Sequence, residues 1–81
     1  MIYQVREWDD DYAGNYNEKT SFYECETFEE IIEHVFPDIP IKRQSSSKVF
    51  LEKYYRLDDS YHYVEITPIK VNRINNHIGS A

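Results

Sequence analysis

Apolar and polar positions change period along the chain. Residues 2–8, IYQVREW, are rich in β-branched and aromatic side chains and predict a strand, with Tyr3 and Val5 on one face and Ile2 and Trp8 on the other. The acidic stretch DDDYAGNYNEKT (9–20) separates it from SFYECE (21–26), a second short strand predicted antiparallel to the first. The period then shifts. In TFEEIIEHVFP, Phe28, Ile31, Ile32 and Val35 fall at i, i+3, i+4 and i+7, the apolar stripe of an amphipathic helix. Thr27 and Glu30 make a T-x-x-E capping box ahead of it. Glu29, Glu30 and Glu33 fall on the other side, His34 suits the last turn of the helix dipole, and Pro37 ends the element.

Beyond the helix, KRQSSSK (42–48) has no apolar residue and predicts a loop. Alternation returns in VFLEKYYRL (49–57), which sets Val49, Leu51, Tyr55 and Leu57 on one face, and Asp58-Asp59-Ser60 supplies turn chemistry. YHYVEITPIKV (61–71) is the returning strand, with Val64 and Ile66 inward and Pro68 confining its end to an edge or a bulge. The expected fold class is α+β: a small single domain over 1–71, ordered β-β-α-β-β, with one helix packed on one face of an antiparallel sheet. Residues 72–81 read as a polar C-terminal tail, with Ile74 and Ile78 able to touch the body. The other face of the sheet would carry Phe50, Tyr54, Tyr61 and Tyr63, which calls for a second copy or a partner as cover.

Composition narrows the class. A chain of 81 residues supports one small core, with stability of roughly 0.05–0.15 kcal/mol per residue. An aromatic share of 16%, with only two glycines and three prolines, sets it apart from disordered chains of similar acidity. The single cysteine, Cys25, excludes an intrachain disulfide and reads as intracellular. The N-terminal residues lack the pattern of a signal peptide, and no apolar run approaches the roughly 20 residues of a bilayer span. A soluble, cytoplasmic protein without membrane contact is expected.

Charge is distributed unevenly within the formal net −6. Residues 1–38 hold eleven acids against Arg6 and Lys19, a net −9, whereas residues 39–81 hold four acids against seven bases, a net +3. Phosphate repulsion opposes direct nucleic-acid binding by the acidic half. A calcium loop with Gly14 at its sixth position would use Asp9 and Asp11, but Ala13 and Thr20 leave the fifth and twelfth positions without ligands. His34, His62, His77 and Cys25 show no zinc spacing, and Cys25 lies between Glu24 and Glu26, which oppose a thiolate. No catalytic or cofactor motif is present, so neither an enzyme nor a cofactor is expected. Lys42, Arg43 and Lys48 read as an ordinary solvated loop. The candidate partner-binding residues are Trp8, Asp9, Asp10, Asp11, Tyr12, Tyr16, Glu18, Glu29, Glu30 and Glu33. Such carboxylates can take the places that phosphates occupy in a basic groove, and the aromatic residues can anchor the contact.

In size, acidity and compact α+β order the chain looks like the small inhibitors that phages and mobile elements direct against host nucleic-acid enzymes, such as anti-CRISPR proteins and uracil-DNA glycosylase inhibitors. The resemblance rests on general character, and no family residue transfers to a position here. It implies a small acidic protein-binding domain that mimics nucleic acid toward a basic, host nucleic-acid-binding protein. The alternative from the residues is a homodimeric structural or regulatory subunit that pairs through Tyr54, Tyr61 and Tyr63.

Overall fold

The structure, a computed structural model, describes residues 1–11 and 17–70. Its elements are β1 (Ile2–Asp10), β2 (Glu18–Glu24), α1 (Phe28–Val35), β3 (Ile41–Gln44), β4 (Val49–Tyr55) and β5 (Ser60–Ile69). The strands form one antiparallel sheet in the order β2-β1-β5-β4-β3. The α+β fold class and the β-β-α-β-β order therefore hold, with one strand more than the periodicity implied. Tyr12, Tyr16, His77, Ile74, Ile78 and the tail lie outside the described residues.

The helix connects the two edge strands, so it crosses one face of the sheet. That face holds the core: Tyr3 and Val5 of β1, Val49 and Leu51 of β4, and Val64 and Ile66 of β5, closed by Ile31 and Phe36. Phe28, Ile32 and Ile39 pack against this cluster from the helix and the segment after it, and the Phe28 ring lies 4.9 Å from that of Tyr3. Cys25 donates its backbone N–H to the Met1 carbonyl at 3.0 Å, which fixes the start of the crossing beside the start of β1. The crossing ends where Glu52 N–H donates to Pro40 C=O at 3.0 Å. Beyond that level the same face turns polar, with Asp9, His62 and Lys53 in one row, and Glu7 already stands beside Val64 in the row before it.

The structure corrects four local expectations. Residues 41–44, read partly as loop, form the edge strand β3; all four are exposed, so no alternation marks them in sequence. Val35 is 38% exposed, and Phe36, one residue past the helix, takes the inward place at 5%. Its backbone leaves helical geometry (φ −127°, ψ 50°), which turns its ring into the core. Leu57 lies fully exposed in the turn after β4 rather than on its inward face. Finally, Thr27 makes no side-chain cap bond; instead the Glu30 carboxylate accepts the Glu26 backbone N–H at 2.8 Å. Pro68 pairs with Tyr3 on the β1 side, while β4 begins only at Val49 opposite Ile66, so proline occupies a stretch with one neighbouring strand.

No helix among the described residues is long and apolar enough to cross a membrane.

Candidate interface on the open sheet face

Residues paired directly across an antiparallel ladder share a face, so the register alone places the side chains opposite the helix. One row runs Glu18, Trp8, Tyr63, Glu52. The next row toward the start of β1 runs Thr20, Arg6, Glu65, Phe50, Arg43. On the other side of the Trp8 row lie Asp10, Tyr61 and Tyr54. This face has no covering element among the described residues.

Its centre is a file of five rings. Phe50 and Tyr63 lie 5.7 Å apart, Trp8 and Tyr63 5.4 Å, Tyr63 and Tyr61 5.9 Å, and Tyr61 and Tyr54 5.0 Å. Contacts of this kind are worth about 0.5–1.5 kcal/mol each beyond burial, so the rings hold one another in place. Trp8, Phe50 and Tyr63 are half-buried by their neighbours, whereas Tyr54 is 47% and Tyr61 37% exposed. The file therefore presents its β4–β5 turn end most openly.

Charge is sorted along the file. At one end the Arg6 guanidinium lies 5.4 Å over Trp8 and the Arg43 guanidinium 5.2 Å over Phe50, both in cation–π range. Arg6 Nε donates to Glu18 at 2.9 Å and Nη1 to Glu65 at 3.5 Å, and Lys48 Nζ reaches Glu65 at 3.3 Å. Trp8, Arg43, Gln44, Ser45, Lys48, Phe50 and Glu65 line a groove of about 600 Å³ there. At the other end Tyr54 donates its hydroxyl to Asp59 Oδ1 at 2.7 Å, and this hydrogen bond, followed by desolvation and the carboxylate charge, raises the Tyr54 phenol pKa. The Tyr63 phenol is raised first by burial and then by the negative charges of Glu52 and Asp10. Neither Asp10 nor Arg43 forms an ion pair among the described residues.

Among the candidate residues from sequence, the structure gathers Trp8, Asp9, Asp10, Asp11 and Glu18 at the far end of the β1–β2 hairpin. It sets Glu29, Glu30 and Glu33 elsewhere. They ride on the outer side of a helix that starts beside Ile2, and β1 extends about 27 Å from there to Asp10 at ~3.4 Å per residue. Asp9 itself points to the helix side, where its carboxylate meets His62 Nδ1 at 2.6 Å and Glu7 meets Nε2 at 3.4 Å. Asp58 and Asp59 join the acidic end, because Asp10 pairs with Tyr61 beside the turn that holds them. Sequence reasoning passed over this pair, and it took Trp8 as an anchor for the acidic loop rather than as a member of the tyrosine face. Both depend on the β1–β5 register, which local sequence does not encode.

Cys25 is half-buried against the core, and burial followed by Glu30 raises its thiol pKa, opposite to what a nucleophile needs. Among the described residues no group of three or more His, Cys, Asp or Glu side chains is placed to hold a metal ion. Comparison with protein-family models, with curated proteins and with solved structures finds no match to this chain.

Proposed function

We propose that this chain is a non-enzymatic protein-binding domain whose interface is the open face of its sheet. The observation that carries the reading is the ring file itself: five aromatic side chains on three adjacent strands, with no element among the described residues laid over them. Aromatic residues and arginine are the types that dominate protein interfaces, and a contiguous apolar patch with a charged rim is the pattern of a docking surface. Carboxylates around its exposed end favour a partner that presents arginine or lysine there.

A second reading is an inhibitor that mimics nucleic acid toward a basic host protein. The gathering of Asp9, Asp10 and Asp11 with Asp58 and Asp59 at one end of the sheet favours it. In that form it uses the hairpin end and does without the helix glutamates.

Site-specific photo-crosslinking in expressing cells tests the interface. A benzophenone side chain at position 61, on the face, is expected to give protein adducts that the same group at position 33, on the outer helix side, does not. Equal adducts at both positions, or none at 61, would refute the reading. Nuclease-sensitive adducts at 61 would replace it with direct nucleic-acid binding, for which exposed aromatic rings are also suited.

A further inference from the structure

We infer that the partner of the open face is a second copy of this chain, packed face to face about a two-fold axis that runs across the strands through the Trp8–Tyr63–Glu52 row. The inference rests on the reading of that face as an interface and names its occupant. A rotation about such an axis lays β1, β4 and β5 over their own copies and exchanges the rows on either side of the axis.

The exchange brings unlike charges together. Asp10 falls over the partner's Arg6, both on β1 and one row to either side of Trp8. Tyr54 and the Asp59 carboxylate fall over the partner's Phe50 and the Arg43 guanidinium stacked on it. Tyr61 falls over the partner's Glu65, where its hydroxyl can donate to a carboxylate. On the axis, Trp8 and Tyr63 meet their own copies, and so do the carboxylates of Glu18 and Glu52; Arg6, 2.9 Å from Glu18, and Lys42, 3.8 Å from Glu52, offset these two like-charge meetings.

The alternative two-fold, along the strands through β5, lays β1 over β4. It sets Asp10 against Asp59 and Arg6 against Arg43, like charge on like charge, which costs affinity. Complementarity therefore selects one symmetry operation. The pattern is self-complementary, as an isologous contact requires. Around the axis the face carries four cations (Arg6, Lys42, Arg43, Lys48) against five carboxylates (Asp10, Glu18, Glu52, Asp59, Glu65), so this part is close to neutral although the chain is −6. The helix acids that make up much of the difference point away.

The axis row lies near the hairpin end of the sheet, so β1, β4 and β5 overlap their copies while β2 and β3 lie to one side of it. Three strands about 4.8 Å apart, overlapping over about 14–20 Å, give on the order of 250 Å² per copy. That is the extent of a weak, reversible contact. Association is therefore expected toward the upper end of the micromolar range, carried by ring packing and charge complementarity rather than by area.

The test is sedimentation equilibrium of the whole chain from about 1 µM to 1 mM. Wild type is expected to move from monomer to dimer across that range. Arg43→Glu and Asp59→Lys, both at exposed positions, are each expected to weaken dimerisation by at least about tenfold, because each creates two like-charge contacts. An equimolar mixture of the two is expected to restore the dimer, since every such contact in the mixed pair is again of opposite sign. Tyr61→Glu, set over the partner's Glu65, is an independent disruptor that leaves the core untouched. A wild type that stays monomeric at 1 mM would overturn the inference, and so would a dimer indifferent to these changes or a mixture that fails to rescue. A monomer that still crosslinks to another protein through position 61 would overturn the second copy while leaving the interface standing. Absence of adducts at 61 would end both.

Discussion

Ile31 and Val35 occupy the same apolar stripe in sequence, but the fold treats them differently, and their truncation to alanine tests how the helix docks. Ile31 is 2% exposed and is the one helix residue fully inside the core; Val35 is 38% exposed. Ile31→Ala removes three carbons, about 2.4 kcal/mol at ~0.8 kcal/mol per buried carbon, and a residual cavity carries the total to about 3 kcal/mol. A domain of 81 residues has roughly 4–12 kcal/mol in hand, so the variant folds but loses a large fraction of its stability. At this size each kcal/mol lowers Tm by about 4–8 °C, which gives a fall of about 12–24 °C. Val35→Ala deletes two carbons that are already more than a third in water and is expected to cost about 1 kcal/mol. Urea denaturation followed by far-UV circular dichroism, at one fixed protein concentration, measures both; fixed concentration removes any contribution from association. Equal costs at the two positions would refute the docking, because they would mean a helix rotated to bury both.

Thr27→Ala is expected to cost less than about 0.5 kcal/mol, since its side chain makes no cap bond, whereas Glu30→Ala removes the acceptor of the Glu26 N–H and is expected to cost about 1 kcal/mol in the same urea assay. Burial raises the phenols of Tyr3 and Tyr63 above the ordinary 10.0; the unfolded chain then loses protons first, so stability is full below pH 10 and is lost as pH rises through the folded values, which thermal melts from pH 8 to 12 would show. Millimolar calcium is expected to leave Tm unchanged, because Ala13 and Thr20 supply no ligand, and a site filled to a hundred times its dissociation constant would add about 2.7 kcal/mol. Trp8 is the single tryptophan and lies in the ring file, so its emission is expected to change with protein concentration in wild type and to stay constant in Tyr61→Glu.

What the sequence made legible follows from where burial imposes a period. Val49, Leu51, Val64 and Ile66 alternate because they alternate between core and open face, and the 28–32 stripe repeats because it meets that core. At β3 the signal fails: an edge strand exposed on every residue has no buried face to print a period, and Lys42 and Arg43 look like loop. At the helix end it fails for another reason, since Phe36 turns inward only because the chain leaves helical geometry after Val35. The acidic surface was legible as composition but not as shape. Which carboxylates share an end is set by the pairing of Asp10 with Tyr61 and by the length of β1.

The reach of the helix explains why the two faces differ. Eight residues at 1.5 Å per residue make α1 about 12 Å long, under half of the ~27 Å of β1, so it can shelter only part of the strands it crosses. On the helix side the strands turn largely polar where shelter ends, at Glu7, Asp9, Lys53 and His62, with Tyr55 the one ring beyond them. No described residue shelters the open face, and if solvent were its permanent neighbour the same response would be expected along its whole length. It carries Trp8, Phe50, Tyr63, Tyr61 and Tyr54 instead, in a row that continues past the level where the helix side has become polar. Rings at Tyr54 and Tyr61 do nothing for the core, because the core ends at Leu51 and Val64. Cover from another molecule gives them a physical role, and the sorting of Asp10 and Asp59 from Arg6 and Arg43 at the two ends of the file fits a copy of the same face.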